Sequence, residues 1–325
     1  MKTRFKVLLS LVLVLVLSGV GGYFYMKRKF APPANQLTVV GLPATGPLRW
    51  WADTVAKPAV PHAALLVPVR LRSCPRTCYF QLDTGAPNTV LYARQLAALH
   101  RRYPTLGTSL RPRGNVAPEF RFALGGAQVA VGNAKVLLHG TGEIPADRLA
   151  PFIIGSLGTD ALKGRVLVLD YAAGRFTLGA DVPAGLAARA TFAPLAFPER
   201  RVLLAAALNG APRQLLFDSG TSAYTLLTSR ESCQQMATPG APARTDTTNS
   251  WGKKLVLHTV PTPARLRFGA VEIPLGTVTY LEGMGLVQQT LMRFSGLDGL
   301  LGNAPFAGGV LILDVRSGRY GVVGR

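Results

Sequence analysis

The chain is poor in the residues on which several common chemistries depend. It has three cysteines and four histidines among 325 residues, and only 16 acidic residues against 36 basic ones. The close pair Cys74 and Cys78 has no further metal-binding residues nearby, so a zinc site is not expected. There is no G-x-S-x-G segment, and the histidines are not spaced as partners of a nucleophile. We therefore expect no metal, no other cofactor and no serine hydrolase site.

The scarcity of acidic residues leaves a formal net charge of +20. A surplus of this size is typical of nucleic-acid-binding proteins, but the arginines are scattered along the chain and no RNA- or DNA-binding signature accompanies them. A basic surface close to an anionic membrane explains the charge as well. We expect no nucleic-acid partner.

The first 29 residues form a separate segment that predicts a membrane anchor. Three basic residues lie within residues 1–6, an uncharged apolar run of 19 residues follows at 7–25, and three more basic residues follow at 27–29. At about 1.5 Å per residue the run nearly spans a bilayer core of about 30 Å. A cleaved signal peptide is the alternative, and the protein would then be secreted. In the anchored form, the free amino terminus favours an N-terminus inside and a non-cytoplasmic body.

Two further features precede the main body or lie at its start. Residues 30–62 are rich in proline and alanine, which predicts an extended stalk. Cys74 and Cys78 flank a predicted turn between two strand-like runs, so an exported protein could close a small disulfide there and leave Cys233 free.

Beyond the stalk the sequence repeats itself in the same order of elements. Asp83-Thr84-Gly85 corresponds to Asp218-Ser219-Gly220, at an offset of 135 residues. The segment Ile153-Ile154-Gly155 is matched with Leu300-Leu301-Gly302, and the segment from Asp170 to Phe176 with that from Asp314 to Tyr320. The repeat predicts two similar lobes, over residues 63–180 and 190–325, with 180–189 as the connection.

Each lobe has the pattern of short strands joined by tight turns, so the predicted fold class is mainly β. The apolar run 166–170, a glycine turn and residues 175–178 predict a β-hairpin. Short helices are predicted over residues 92–99 and 159–162. Asp170 and Asp314 are interpreted as turn residues of the repeated hairpin.

The repeat places an Asp-Thr/Ser-Gly triplet at the same point of each lobe, directly after an apolar strand. A single triplet of this kind would be interpreted as a turn. Two copies at equivalent positions instead indicate a pair of carboxylates on sharp loops, with Gly85 and Gly220 allowing the backbone to turn.

These residues resemble the pepsin-like aspartic peptidase family over about residues 60–325. The resemblance implies a bilobal acid-protease fold with pseudo-twofold symmetry, in addition to the N-terminal transmembrane helix. It implies that Asp83 and Asp218 are catalytic, that Thr84 and Ser219 bond across the axis, and that Gly85 and Gly220 direct amides at the carboxylates. Ala86 departs from the hydroxyl usual in pepsin-like lobes and is similar to retroviral-type aspartic peptidases, whereas Thr221 keeps the hydroxyl. The family's flap tyrosine is not found around residues 111–130, which contain Phe120 and Phe122.

Two carboxyls about 3 Å apart cannot both ionise, so they share a proton and keep an acid and a base together. Because Thr221 could donate to its carboxylate and Ala86 could not, Asp218 is the expected ionised member. The sequence thus predicts an endopeptidase acting on extended protein or peptide substrates. The alternative is an inactive relative that binds peptides or anionic partners.

Overall fold

The computed structural model of the protein describes residues 31–54, 59–106, 111–250, 253–283 and 298–324, together with Gly22 and Arg28. The predicted membrane anchor over residues 1–29 lies outside the described residues, apart from Gly22 and Arg28. Within the described ranges, no helix has the length and apolar character needed to cross a bilayer. Asn35–Arg325 pack as one compact unit.

The protein is mainly β, as the sequence predicted. The first half contains α1 (Ala93–Arg102), 3₁₀ helices Pro104–Leu106 and Thr159–Leu162, and these strands: β1 (Leu37–Val40), β2 (Ala44–Pro47), β3 (Arg49–Asp53), β4 (Val60–Val69), β5 (Cys78–Leu82), β6 (Val90–Tyr92), β7 (Val116–Leu124), β8 (Ala127–Leu137), β9 (Ile153–Leu157), β10 (Val166–Asp170) and β11 (Arg175–Gly179).

The second half follows a connection that contains α2 (Ala184–Ala187). It contains α3 (Arg230–Met236), 3₁₀ helices Pro198–Arg200, Ser219–Thr221 and Ala304–Phe306, and these strands: β12 (Thr191–Ala196), β13 (Leu203–Leu208), β14 (Ala211–Phe217), β15 (Leu226–Thr228), β16 (Arg244–Ser250), β17 (Lys253–Phe268), β18 (Val271–Glu282), β19 (Gly299–Leu301), β20 (Val310–Asp314) and β21 (Arg319–Val323).

The two halves use the same order of paired elements. In the first half β5 pairs in parallel with β9, and β9 pairs with β6. In the second half β14 pairs in parallel with β19, and β19 pairs with β15. Each half closes with an antiparallel hairpin, β10–β11 or β20–β21, as the repeated sequence predicted.

A central antiparallel sheet joins the halves, in the order β2-β11-β10-β20-β21-β12. At its middle Val168 pairs with Ile312, which lies 144 residues later and occupies the equivalent place of the repeat. A residue that faces its own equivalent across an antiparallel pair lies at an approximate twofold axis. The closing hairpins of the repeat therefore meet at the centre of the molecule.

The central sheet is buried on both faces. Leu167, Leu169, Leu311 and Leu313 belong to the large core cluster, whereas the intervening Val166, Val168, Val310 and Ile312 belong to a smaller one. Since successive side chains of a strand point to opposite faces, these runs need to be apolar at every position. This explains why the sequence of β10 and β20 is continuously hydrophobic instead of alternating.

The stalk predicted over residues 30–62 is corrected for most of its length. β1 pairs with β8, β2 with β11 and β3 with β4, so this segment supplies strands to both sheets of the first half. Leu37 and Ala44 are buried in the core. A short extended segment of mixed composition satisfies its backbone groups by joining a sheet edge, which its proline content does not reveal.

The predicted disulfide between Cys74 and Cys78 is also corrected, because both residues are free thiols in the structure, as is Cys233. The two thiols are hydrogen-bonded to each other, and this contact lowers the pKa of Cys74 to about 6. The same contact, together with burial, raises the pKa of Cys78. Cys78 begins β5 and is buried, whereas Cys74 is half-buried in the preceding turn.

Candidate active site

The two Asp-Thr/Ser-Gly loops begin where two equivalent strands end. β5 ends at Leu82 and β14 ends at Phe217, so Asp83 and Asp218 are the next residues of their strands. The backbone amide of Asp83 donates to the carbonyl of Leu157 at 3.0 Å, and that of Asp218 donates to the carbonyl of Leu301 at 2.9 Å. Each aspartate is therefore held at its backbone by the neighbouring strand of its own half.

Thr84 and Ser219 join the loops through reciprocal hydrogen bonds. The amide of Ser219 donates to Thr84 Oγ1 at 2.9 Å, and the amide of Thr84 donates to Ser219 Oγ at 3.0 Å. Thr84 Oγ1 donates to the carbonyl of Phe217 and Ser219 Oγ donates to that of Leu82, both at 2.8 Å. Each buried hydroxyl thus accepts one bond and donates one across the twofold axis.

The glycines of the loops lie against the carboxylates of the opposite loop. A Cβ atom on Gly85 would lie 2.5 Å from Cγ of Asp218, and one on Gly220 would lie 2.7 Å from Oδ1 of Asp83. Any side chain at either position would displace a carboxyl group. The structure therefore brings the two predicted aspartates together, and both glycines are required for the approach.

Backbone amides point at the carboxyl groups. Asp83 Oδ1 accepts bonds from the amides of Gly85 and Ala86, each at 3.1 Å, and Asp218 Oδ1 accepts one from the amide of Gly220 at 2.8 Å. Such donors stabilise the charged form of a carboxyl and oppose the effect of burial.

The two carboxyls differ in their affinity for a proton. Burial raises the pKa of Asp83, and the amides of Ala86 and Gly85 oppose that rise. Burial and the nearby charge of Asp83 raise the pKa of Asp218 to about 7. In mildly acidic solution Asp83 is therefore the ionised member and Asp218 holds the proton.

This assignment corrects the prediction that Asp218 is the ionised member. The prediction depended on a bond from the hydroxyl of Thr221 to the carboxylate of Asp218. Thr221 Oγ1 instead donates to the main-chain carbonyl of Asp218, at 2.9 Å. The side chain of Thr221 therefore stabilises the turn of the loop, and only its backbone amide acts on the carboxyl.

A glycine behind each loop allows a neighbouring strand to pack closely. A Cβ atom on Gly158 would lie 2.4 Å from the carbonyl carbon of Asn88, and one on Gly302 would lie 2.1 Å from the carbonyl oxygen of Tyr224. Gly158 is thus the equivalent of Gly302, at the same 144-residue offset as Asp170 and Asp314. The sequence matched Gly155 with Gly302 instead, because Ile154-Gly155 has the same letters locally.

Several residues near the loops have no local sequence signal. Tyr92 Oη lies 2.8 Å from Ser156 Oγ, and the Tyr92 ring packs on His139 with ring centroids 4.6 Å apart. Burial raises the pKa of Tyr92, and the charge of Asp83 raises it further. Only the pairing of β6 with β9 brings Tyr92 and Ser156 together, so no motif could have predicted the contact.

Asn303 connects the second loop to the first half. Its Nδ2 donates to the carbonyl of Ser219 at 3.0 Å and to Ser222 Oγ at 2.6 Å. Its Oδ1 accepts a bond from the hydroxyl of Tyr171 at 2.6 Å. Asn303 directly follows the repeated Leu300-Leu301-Gly302 element, which was the one sequence signal pointing to it.

The region in which a flap was sought, residues 111–130, forms part of the core. Phe120 and Phe122 lie on β7 and are buried, with ring centroids 6.5 and 5.0 Å from that of Phe80. Residues 107–110, which precede this region, lie outside the described residues. In the second half β16 and β17 form an antiparallel hairpin, and burial together with Asp246 on β16 raises the pKa of Tyr224.

No cluster of three or more histidine, cysteine, aspartate or glutamate residues that could hold a metal ion occurs in the described ranges. Comparison with protein-family models gave no match. Comparison with curated proteins gave no significant match either. The loops, their reciprocal bonds and their two carboxyls are therefore the observations from which a function is argued.

Proposed function

We propose that the chain is an aspartic endopeptidase with the bilobal pepsin-like fold, in which Asp83 and Asp218 activate one water molecule. The observation that carries the proposal is the pair of buried carboxyls on reciprocally bonded loops, one ionised and one protonated. A purely structural turn has no need of two buried carboxyls facing each other, because each such group is costly to bury.

The arrangement supports a general acid–base mechanism. Asp83 takes a proton from the water as the water oxygen attacks the carbonyl carbon of the peptide bond. Asp218 donates its proton toward the carbonyl oxygen, which stabilises the developing negative charge. The resulting diol then collapses, the C–N bond breaks, and the amine nitrogen leaves with a proton returned by the carboxyl pair.

The substrate that fits this proposal is a protein or peptide bound in an extended conformation across the cleft between the lobes. The N-terminal segment would anchor the enzyme, with the lobes on the non-cytoplasmic side of the membrane. Cleavage of that segment would release the same lobes as a secreted enzyme.

The proposal is tested by incubating the purified chain with a peptide library over a range of acidic to neutral pH. Asp83→Asn and Asp218→Asn are expected to abolish cleavage while the melting transition stays cooperative. The matched control is Asp181→Asn, since Asp181 is exposed and bonded only to surface Arg316. Near-normal turnover in either dyad variant, or a folded wild type that binds peptides without cleaving them, would contradict the proposal.

A further inference from the structure

A strained segment of the second half reaches the first active-site loop. Glu199 and Arg200 lie in the short connection between β12 and β13, with φ angles of 53° and 61°. Residues other than glycine rarely adopt such angles, and two in succession persist only where surrounding contacts hold them. Arg200 is also buried, with 9% of its surface exposed.

The contacts of Arg200 converge on the residues that follow Ala86. Arg200 Nε donates to the carbonyl of Pro87 and Nη2 donates to Asn88 Oδ1, both at 2.7 Å. The carbonyl of Arg200 accepts a bond from Thr159 Oγ1. Thr159 in turn donates its amide to the carbonyl of Ala86 at 2.9 Å. The backbone from Ala86 to Asn88 is thus held from two sides.

This held segment supplies one of the donors to the dyad. The amide of Ala86 donates to Asp83 Oδ1, and its loss would remove a stabilising bond to the ionised carboxylate. Accordingly, on the basis of the proposed function, we propose that Arg200 is a positioning residue of the active site. Its guanidinium holds residues 86–88 so that the Ala86 amide stays on Asp83.

The equivalent place of the second loop is braced in the same manner by a different residue. Thr159 and Asn303 are 144 residues apart and are equivalent in the repeat. Asn303 binds the carbonyl of Ser219 and is held by Tyr171 from the first half. Each loop is therefore braced by a residue of the opposite half, and of the two only Arg200 is charged.

Arg200 also has a buried counter-charge, which explains why a guanidinium is tolerated there. The carboxylate of Asp160 accepts bonds from the amide and the hydroxyl of Thr89, both at 2.7 Å. Burial raises the pKa of Asp160, and the charge of Arg200 opposes that rise. Removing the charge would leave Asp160 less well compensated, so the test needs variants that avoid this cost.

The experiment compares wild type with Arg200→Lys, which keeps the charge, and Asn88→Ala, which removes only the acceptor of Nη2. We expect kcat to fall about ten-fold or more in Arg200→Ala with KM changed less than two-fold, because one bond to a charged group is worth at least a power of ten. Arg200→Lys should fall in between, since an ammonium cannot reproduce the fork of the guanidinium. The control Arg201→Ala removes the same charge one residue away and should keep wild-type kinetics.

A double-mutant cycle between Arg200→Ala and Asn88→Ala separates positioning from general destabilisation. Strong coupling between the two changes supports the brace, and additive losses would overturn it. Hydrogen exchange of the peptide containing residues 83–91 provides a readout that needs no turnover. Faster exchange there in Arg200→Lys than in Arg201→Ala supports the brace, and equal exchange refutes it. If wild type cleaves nothing, the proposed function fails and the exchange result still decides the brace.

Discussion

Replacing Ser219 by alanine removes one of the two hydroxyls that join the loops. Ser219 Oγ accepts from the amide of Thr84 and donates to the carbonyl of Leu82, and the side chain has 0% of its surface exposed. The variant leaves both of these buried groups without their partner. Each such group costs about 1–3 kcal/mol, so the loss in unfolding free energy is about 2–6 kcal/mol.

This loss is large compared with the total stability of an ordinary protein, about 5–15 kcal/mol. At about 2 °C per kcal/mol for a chain of this size, a loss near 3 kcal/mol lowers the melting temperature by about 6 °C. Differential scanning calorimetry measures the change in both the variant and its controls. Ser219→Thr should stay close to wild type, because Thr84 makes the same bonds at the equivalent position.

The control for a serine outside the loops is Ser232→Ala, since Ser232 lies on the exposed first turn of α3. Its melting temperature should change by less than about 2 °C, as for most surface substitutions. The reasoning would be refuted if Ser219→Ala melted within 1 °C of wild type, at roughly the control value.

Three further predictions follow from the site and its surroundings. Because the folded-state pKa of Asp218 is raised to about 7, its proton stabilises the fold at low pH, and this contribution is lost as pH rises through about 7; Asp218→Asn should therefore melt higher than wild type above that pH and lose the difference in acid. Gly302→Ala should unfold or strongly destabilise the protein, whereas Gly185→Ala should be tolerated because a Cβ there meets nothing within 4 Å. Cys74, whose pKa is about 6, should be alkylated faster than Cys78 at neutral pH, and in intact cells an impermeant reagent should reach it only if the lobes are non-cytoplasmic.

Each of these measurements has an outcome that contradicts the argument. A pH-independent difference between wild type and Asp218→Asn would show that this carboxyl does not bind its proton more tightly when folded. Equal stability of Gly302→Ala and Gly185→Ala would show that the strand behind the loop does not need a glycine. Labelling of Cys74 only after permeabilisation would contradict the proposed topology.

The repeated motifs were the most informative part of the sequence, and their success and their limit have the same cause. Asp83 and Asp218 follow apolar strands and precede glycine, so each triplet could be recognised from its immediate neighbours. Gly155 also follows two apolar residues, and it was therefore matched with Gly302 although Gly158 fills that place. Only the pairing of Asp83 with Leu157 shows which glycine lies behind the loop.

The sequence by itself determined the mainly β class, the closing hairpins and the pair of loops with their aspartates. These features depend on local patterns, namely strand-like apolar runs, turn glycines and a repeat at nearly constant offset.

Only the tertiary structure decided that residues 37–53 are strands of the sheets, that Cys74 and Cys78 are free, and that Asp218 keeps the proton. It also decided that Arg200 reaches Pro87, over a separation of 113 residues. The physical reason is that each outcome depends on groups distant in sequence. A sheet edge accepts many extended segments, and a carboxyl takes its pKa from its burial and its neighbours.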